Sequence, residues 1–201
     1  MLFRVLAALA VLSAAHVFSL PPALGAIACG AADRGGARTC SVHVAQATGS
    51  TAIAPQARSK WCWAAAISNV FTYYGHPLEQ ARIVASTYGA ARNLAGTEDG
   101  MLRELNRVWV DDRGRRFTVV AQAIRPAEAA IELFRDRPVI VTALHHAVVL
   151  TSLTYLRNAD GSGVWRDGIV RDPWPQYPGA RALTARDLAG IHRLFRILVY
   201  D

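Results

Sequence analysis

The sequence predicts an α+β domain, helices first and antiparallel strands second, on three observations. Apolar residues recur at helical spacing from Trp61 to Leu105. Beyond Gly114 the apolar runs become short, rich in Val and Ile, and separated by turn residues. Finally, the most apolar helix opens on a cysteine, in Gln56-Ala57-Arg58-Ser59-Lys60-Trp61-Cys62-Trp63-Ala64-Ala65-Ala66.

The elements follow in order. Met1-Leu2-Phe3-Arg4 and the apolar run Val5 to Phe18 have the charged start and short hydrophobic core of a signal peptide spanning 1–28, too short to cross a bilayer comfortably. Ala26-Ile27-Ala28 offers a cleavage site that leaves Cys29 first, and Leu24-Gly25-Ala26 offers an earlier one. An exported protein, periplasmic or secreted, is therefore expected. Cys29 also stands where a lipid anchor would attach, with Ala26 in place of the usual leucine. Residues 29–49 lack sustained periodicity and read as a linker or loosely docked arm, which leaves 50–201 as the domain. Helices are expected over Trp61–Tyr74 with Gly75 as its cap, over Pro77–Tyr88 closed by Gly89, and after Thr97 with a stripe of Met101, Leu102, Leu105, Val108 and Trp109. The second half reads as a strand over 117–121, a helix over 126–135 and a buried strand over 138–144. Strands over 147–156 and 164–171 then flank the turn Asn158–Gly163, and a short helix capped by Thr184 and Asp187 precedes a last strand over 195–200.

At 201 residues the chain has room for one domain and a leader. The formal charge of +7 is spread, with arginines interleaved among acids; Arg113-Gly114-Arg115-Arg116 reads as a turn, and no nucleic-acid partner is expected. A basic surface suits anionic envelopes or acidic substrates. Neither metal-ligand spacing nor a phosphate-cradling glycine loop is present in the sequence, so no cofactor and no metal are expected. There are three cysteines, and outside the cytosol thiols tend to pair. Pairing Cys29 with Cys40 would contribute about 2 to 3 kcal/mol and leave Cys62 free, whereas the competing pairings consume it.

A cysteine at a helix start meets unpaired backbone N–H groups and the positive end of the helix dipole, which favour the nucleophilic thiolate. It needs a base and a group to orient that base. Of the six histidines, His16 lies in the leader, His43 in the arm, His76 at a helix–helix turn and His192 near the last strand. His145 and His146 remain, at a strand edge where alternation sends them to opposite faces, so that one of them meets Cys62. Asp172, in Arg171-Asp172-Pro173-Trp174-Pro175, ends the strand that pairs with the histidine strand and is the candidate orienter; Trp174 would shield the pair.

Together Gln56, Trp61-Cys62-Trp63-Ala64-Ala65, His146-Ala147-Val148-Val149-Leu150 and Asp172-Pro173-Trp174-Pro175 resemble the papain-like cysteine peptidases, in particular the compact bacterial type related to bacteriocin-leader-processing and effector peptidases. The resemblance implies a papain-like fold, with a central catalytic helix packed on a C-terminal antiparallel sheet, and a peptide or protein substrate. It implies Cys62 as nucleophile, His146 rather than His145 as base and acid, Asp172 as orienting residue, and Gln56 with the Cys62 N–H as oxyanion donors. A monomer is expected. The chain departs from the larger plant-type branch in carrying Asp for Asn and in a Cys-to-His separation well short of about 130 residues. Alternatives with the same triad are a transglutaminase-like or other acyltransferase and a cell-wall amidase; a further one is an inactive peptide-binding domain. The candidate specificity loops, Arg92–Thr97 and Gln176–Arg181, carry no readable preference.

Overall fold

The computed structural model describes residues 24–45, 54–176 and 179–201. The expected leader lies outside the described residues except for its last five. Among the described residues nine strands, all antiparallel, form one sheet: β1 (Ala26–Cys29), β2 (Arg38–His43), β3 (Val108–Val110), β4 (Arg116–Ile124), β5 (Val139–Ala143), β6 (His146–Arg157), β7 (Gly163–Asp172), β8 (Gly179–Ala182) and β9 (Ile191–Tyr200). Their order is β1-β2-β6-β5-β9-β4-β3, with β7 beside β6 and β8 beyond β7. The long β6 organises this arrangement. Its first residues pair with β5 (Ala143↔His146 to Val139↔Leu150) and its later ones with β2 (His43↔Ser152 to Arg38↔Arg157), while β7 runs along it as well.

Alternation along the central strands separates two cores. Ile140, Ala147, Val149, Phe195 and Ile197 join the helices α1 (Cys62–Tyr73), α2 (Gln80–Tyr88) and α3 (Glu98–Leu105). Val139, Val141, Val148, Leu150 and Leu194 face the other way, toward α4 (Pro126–Phe134). With both faces of β5 covered, every one of its residues is buried. A fifth helix, α5 (Ala185–Ala189), is closed by the expected capping box of Thr184 and Asp187. Among the described residues no helix is long and apolar enough to cross a membrane.

Helix α1 is alanine-rich because it is the most enclosed element: Trp63 through Ile67, Val70 and Phe71 are buried, and small side chains let the sheet and α2 approach it. It ends in a Schellman motif, in which the Gly75 and His76 N–H groups donate to the Thr72 and Phe71 carbonyls and Gly75 takes φ 85°.

Four expectations are corrected. The region read as a linker contributes Cys29, the last residue of β1, and all of β2 to the sheet, while the rest of β1 falls within the expected leader; Cys40, Val42 and Val44 are fully buried, with both valines in the α4 core, an alternation too short to stand out among glycines and alanines. Cys29 and Cys40 face each other across β1 and β2 and are disulfide-bonded, so the Cys29 sulfur is not available to a lipid thioether. The third helix stops at Leu105, because the Asn106 side chain donates to the Leu102 and Ala121 carbonyls and accepts the Ala121 N–H; Val108 and Trp109 therefore belong to β3. Part of the expected loop 176–181 is strand β8, which pairs with β7.

Candidate active site

Cys62 is the first residue of α1, half-buried, and among the described cysteines the one free thiol. Trp61 provides no side-chain cap, and the first intrahelical bond runs from the Ala65 N–H to the Trp61 carbonyl at 2.9 Å. The opening N–H groups of the helix are thus left for other acceptors. Burial pushes the Cys62 thiol up, but hydrogen bonds from His146 and from the Ala147 and Trp63 N–H groups, with the imidazolium charge, outweigh it and hold the thiol below its ordinary range.

His146 opens β6 and Asp172 closes β7. Continuing the register from Val149↔Arg171 sets Asp172 against Val148, diagonal to His146 and within side-chain reach. His146 Nε2 lies 2.7 Å from Asp172 Oδ1, which leaves Nδ1 for the thiol. Burial would lower the imidazole, yet Asp172 and Cys62 raise it to about 9. Asp172 itself is buried, which would raise it, but His146, the Trp174 N–H and Arg181 bring it down to about 2. Trp174 presents its ring edge-on to His146 at 6.1 Å between centroids. These groups form one line: thiol, imidazole, carboxylate.

His145 is not on a strand face opposite to His146, as alternation suggested. Ala143 pairs directly with His146, so Leu144 and His145 form a two-residue hairpin loop, and both are left-handed (φ 51° and 63°). This is the backbone of a type I′ turn, which ordinarily selects Asn and Gly and costs other residues about 1 kcal/mol each. Strain is thus held immediately before the histidine. Both histidines line the same cleft of about 540 Å³, together with Cys62, Trp63, Met101 and Leu144.

Gln56 is 5% exposed and is set by the chain around it. Its N–H donates to the Pro173 carbonyl at 2.7 Å, tying it to the Asp172 turn. Gln80 grips the neighbouring residues, accepting the Ala57 N–H and donating to the Pro55 carbonyl, each at 2.9 Å. The Gln56 Nε2 donates to the Arg58 carbonyl at 3.0 Å, which uses one of its two hydrogens. Gln56 opens on a second hollow, of about 300 Å³, shared with Arg58 and Trp174.

Sequence reasoning missed several supporting residues. Trp61 and Trp63 donate their indole N–H groups to the Arg92 and Leu94 carbonyls, fastening the 92–97 loop to the helix start. Gly96 lies flat against Trp63, where a Cβ would come within 2.6 Å of the ring. The paired tryptophans around Cys62 were the available signal. Arg181, by contrast, gave none.

The chain matches no described protein family and no curated protein. Among solved structures it is similar to the peptidase domain of Streptococcus ComA, described as a bi-functional ABC transporter involved in a quorum-sensing pathway. The two share 18% sequence identity with a TM-score of 0.47, over 74% of this chain and 97% of that domain.

Proposed function

We propose that this protein is an exported cysteine peptidase of the compact bacterial papain-like type, hydrolysing peptide bonds through a thioester on Cys62. The observation that carries the reading is the line from Cys62 through His146 to Asp172, with the thiol held low and the imidazole held near 9. A merely structural cysteine has no reason to face a carboxylate-backed histidine at an uncapped helix start.

The Cys62 thiolate attacks the amide carbon and the carbonyl oxygen becomes an oxyanion. The Cys62 N–H and the remaining Gln56 Nε2 hydrogen are its donors in this reading. His146 then gives its proton to the departing amine, while Asp172 keeps the ring in register. Water, deprotonated by His146, adds to the thioester, and the collapse of that adduct releases the acid and the thiolate. The apolar lining of the larger cleft, with Trp63, Met101 and Leu144, suits an apolar side chain of a peptide.

The test is labelling with an electrophilic thiol probe, followed by peptide-library profiling under mild reduction with and without an amine acceptor. Wild type is expected to label at neutral pH and to release free acids, and Cys62→Ala to do neither. Equal labelling of the two proteins overturns the reading. Aminolysis products in excess over free acids reassign the activity to acyl transfer.

A further inference from the structure

Asp172 has a partner that the triad chemistry does not use. Its Oδ1 accepts from His146 and from the Trp174 N–H, whereas Oδ2 accepts from Arg181 Nε at 2.7 Å. The carboxylate is 1% exposed and held from both sides. Arg181 sits on β8 opposite Val170, two residues before Asp172. Its Nη1 continues to Asp187 Oδ2 at 2.7 Å and to the Ala182 carbonyl at 3.1 Å. The same Asp187 oxygen accepts the Thr184 N–H in the capping box of α5. That helix leads to Gly190, where a Cβ would come within 2.6 Å of Leu144, at the rim of the cleft.

We propose that Arg181 is a positioning residue: its guanidinium fork fixes the Asp172 carboxylate so that Oδ1 faces His146, keeps it ionised despite burial, and couples it to α5 and the cleft wall. This rests on the reading of Cys62, His146 and Asp172 as the triad. An isolated buried carboxylate takes up a proton readily, and a protonated Asp172 no longer supports an imidazolium. Without the guanidinium, moreover, Asp172 and Asp187 would lose the cation that they share. Lysine offers a point charge on a different stem and cannot span both carboxylates with a planar fork. Among the described residues, the charged and titratable groups that bond Asp172 are His146 from β6 and Arg181 from β8, with Cys62 of α1 beyond His146 and Asp187 of α5 beyond Arg181.

The experiment is the rate of Cys62 alkylation by iodoacetamide from pH 3.5 to 9, on the full chain with the Cys29–Cys40 disulfide intact, for wild type, Arg181→Gln, Arg181→Lys and Asp187→Asn. In Arg181→Gln the acid limb is expected to move up by about one pH unit, with the rate at the pH of the wild-type midpoint falling about fivefold relative to its own rate at pH 8. Arg181→Lys is expected to move the limb about half as far, and Asp187→Asn, which keeps the Arg181–Asp172 contact, not at all. A purely structural role would lower the melting temperature or all rates evenly and leave the limb in place; that result overturns the proposal. Should Arg181→Gln fail to fold, an unmoved limb in Arg181→Lys overturns it equally. A wild-type profile that rises only in the range of a free thiol contradicts the triad reading itself, and so is distinguishable from a failure of Arg181 alone.

Discussion

Among the described residues two histidines meet aspartates, in opposite surroundings. His76, 3% exposed, is stacked on Phe117 at 4.3 Å with its Nδ1 3.2 Å from Asp111 and its Nε2 2.8 Å from Asp201. His146 meets one carboxylate with Nε2 and a thiol with the other nitrogen. The first ring is closed on both sides by acids, so it fastens the turn after α1 to β3–β4 and to the end of β9. The second is closed on one side only and borders a cleft. A His–Asp pair is therefore not by itself a catalytic signature; what faces the second nitrogen decides.

Exchanging the two substitutions is the sharpest way to break this comparison. His146→Ala is expected to lower Cys62 alkylation at neutral pH about a hundredfold, because the half-buried thiol loses the donor that offsets desolvation, and to cost up to about 2–3 kcal/mol of stability there, since the contribution of the raised imidazole goes with it. His76→Ala is expected to differ in the alkylation readout, costing about 2–4 kcal/mol through the cavity beside Phe117 and the lost partner of Asp111 but leaving alkylation of the folded protein unchanged. Denaturant melts paired with probe kinetics read both. If His76→Ala also silenced Cys62, the two sites would not be separable.

A pH series separates them again. The His146 imidazole is raised from 6.5 to about 9, so its contribution to stability is complete below about 6.5 and lost as pH rises through 9. A decline of about 2–3 kcal/mol is expected over that window in wild type and in His76→Ala, and is absent from His146→Ala. Under the proposed mechanism turnover is expected to fall over the same window, since the leaving amine would need the imidazolium proton. Asp172 works in the opposite sense: lowered from 3.8 to about 2, it contributes above 4 and ceases to do so as pH falls toward 2.

The carboxylates carry the comparison one step further. Asp111 accepts from the Arg113 and Arg115 N–H groups, the Arg115 side chain and His76, and these donors outweigh burial to bring it to about 2. Asp111→Asn is expected to cost more melting temperature than Asp172→Asn, and only the latter to slow alkylation. Calorimetry on both variants beside the alkylation assay checks the ordering.

Much of the helical half was legible because its information is local. The 3.6-residue period of Trp63, Ala66, Ile67, Val70 and Phe71 and the glycines after Tyr74 and Tyr88 announce α1 and α2. Cys62, His146 and Asp172 stood out because a helix start, a strand start and a strand end are each written in neighbouring residues. What was hidden depends on pairing at a distance. Strand β2 exists because β6 is long enough to accept it beside β5, and no feature of residues 38–43 announces that. Arg181 is one arginine among many until β8 lies against β7 and brings it to Asp172. The turn before His146 was hidden for another reason: Leu144 and His145 lack the composition of a type I′ turn, so a strand edge was the natural reading.

That turn supplies the smallest expected effect and a control within the candidate active site. His145→Gly relieves a left-handed φ of 63° that a side chain disfavours, and is expected to stabilise the protein by about 1 kcal/mol. Because His145 is exposed, lies outside the bonds that join Cys62, His146 and Asp172, and keeps its two-residue loop as glycine, alkylation of Cys62 should be unchanged. Loss of reactivity on this substitution would mean that the strain itself holds His146 in register. The difference between the two histidine sites would then lie in backbone conformation as well as in the partner of the second nitrogen.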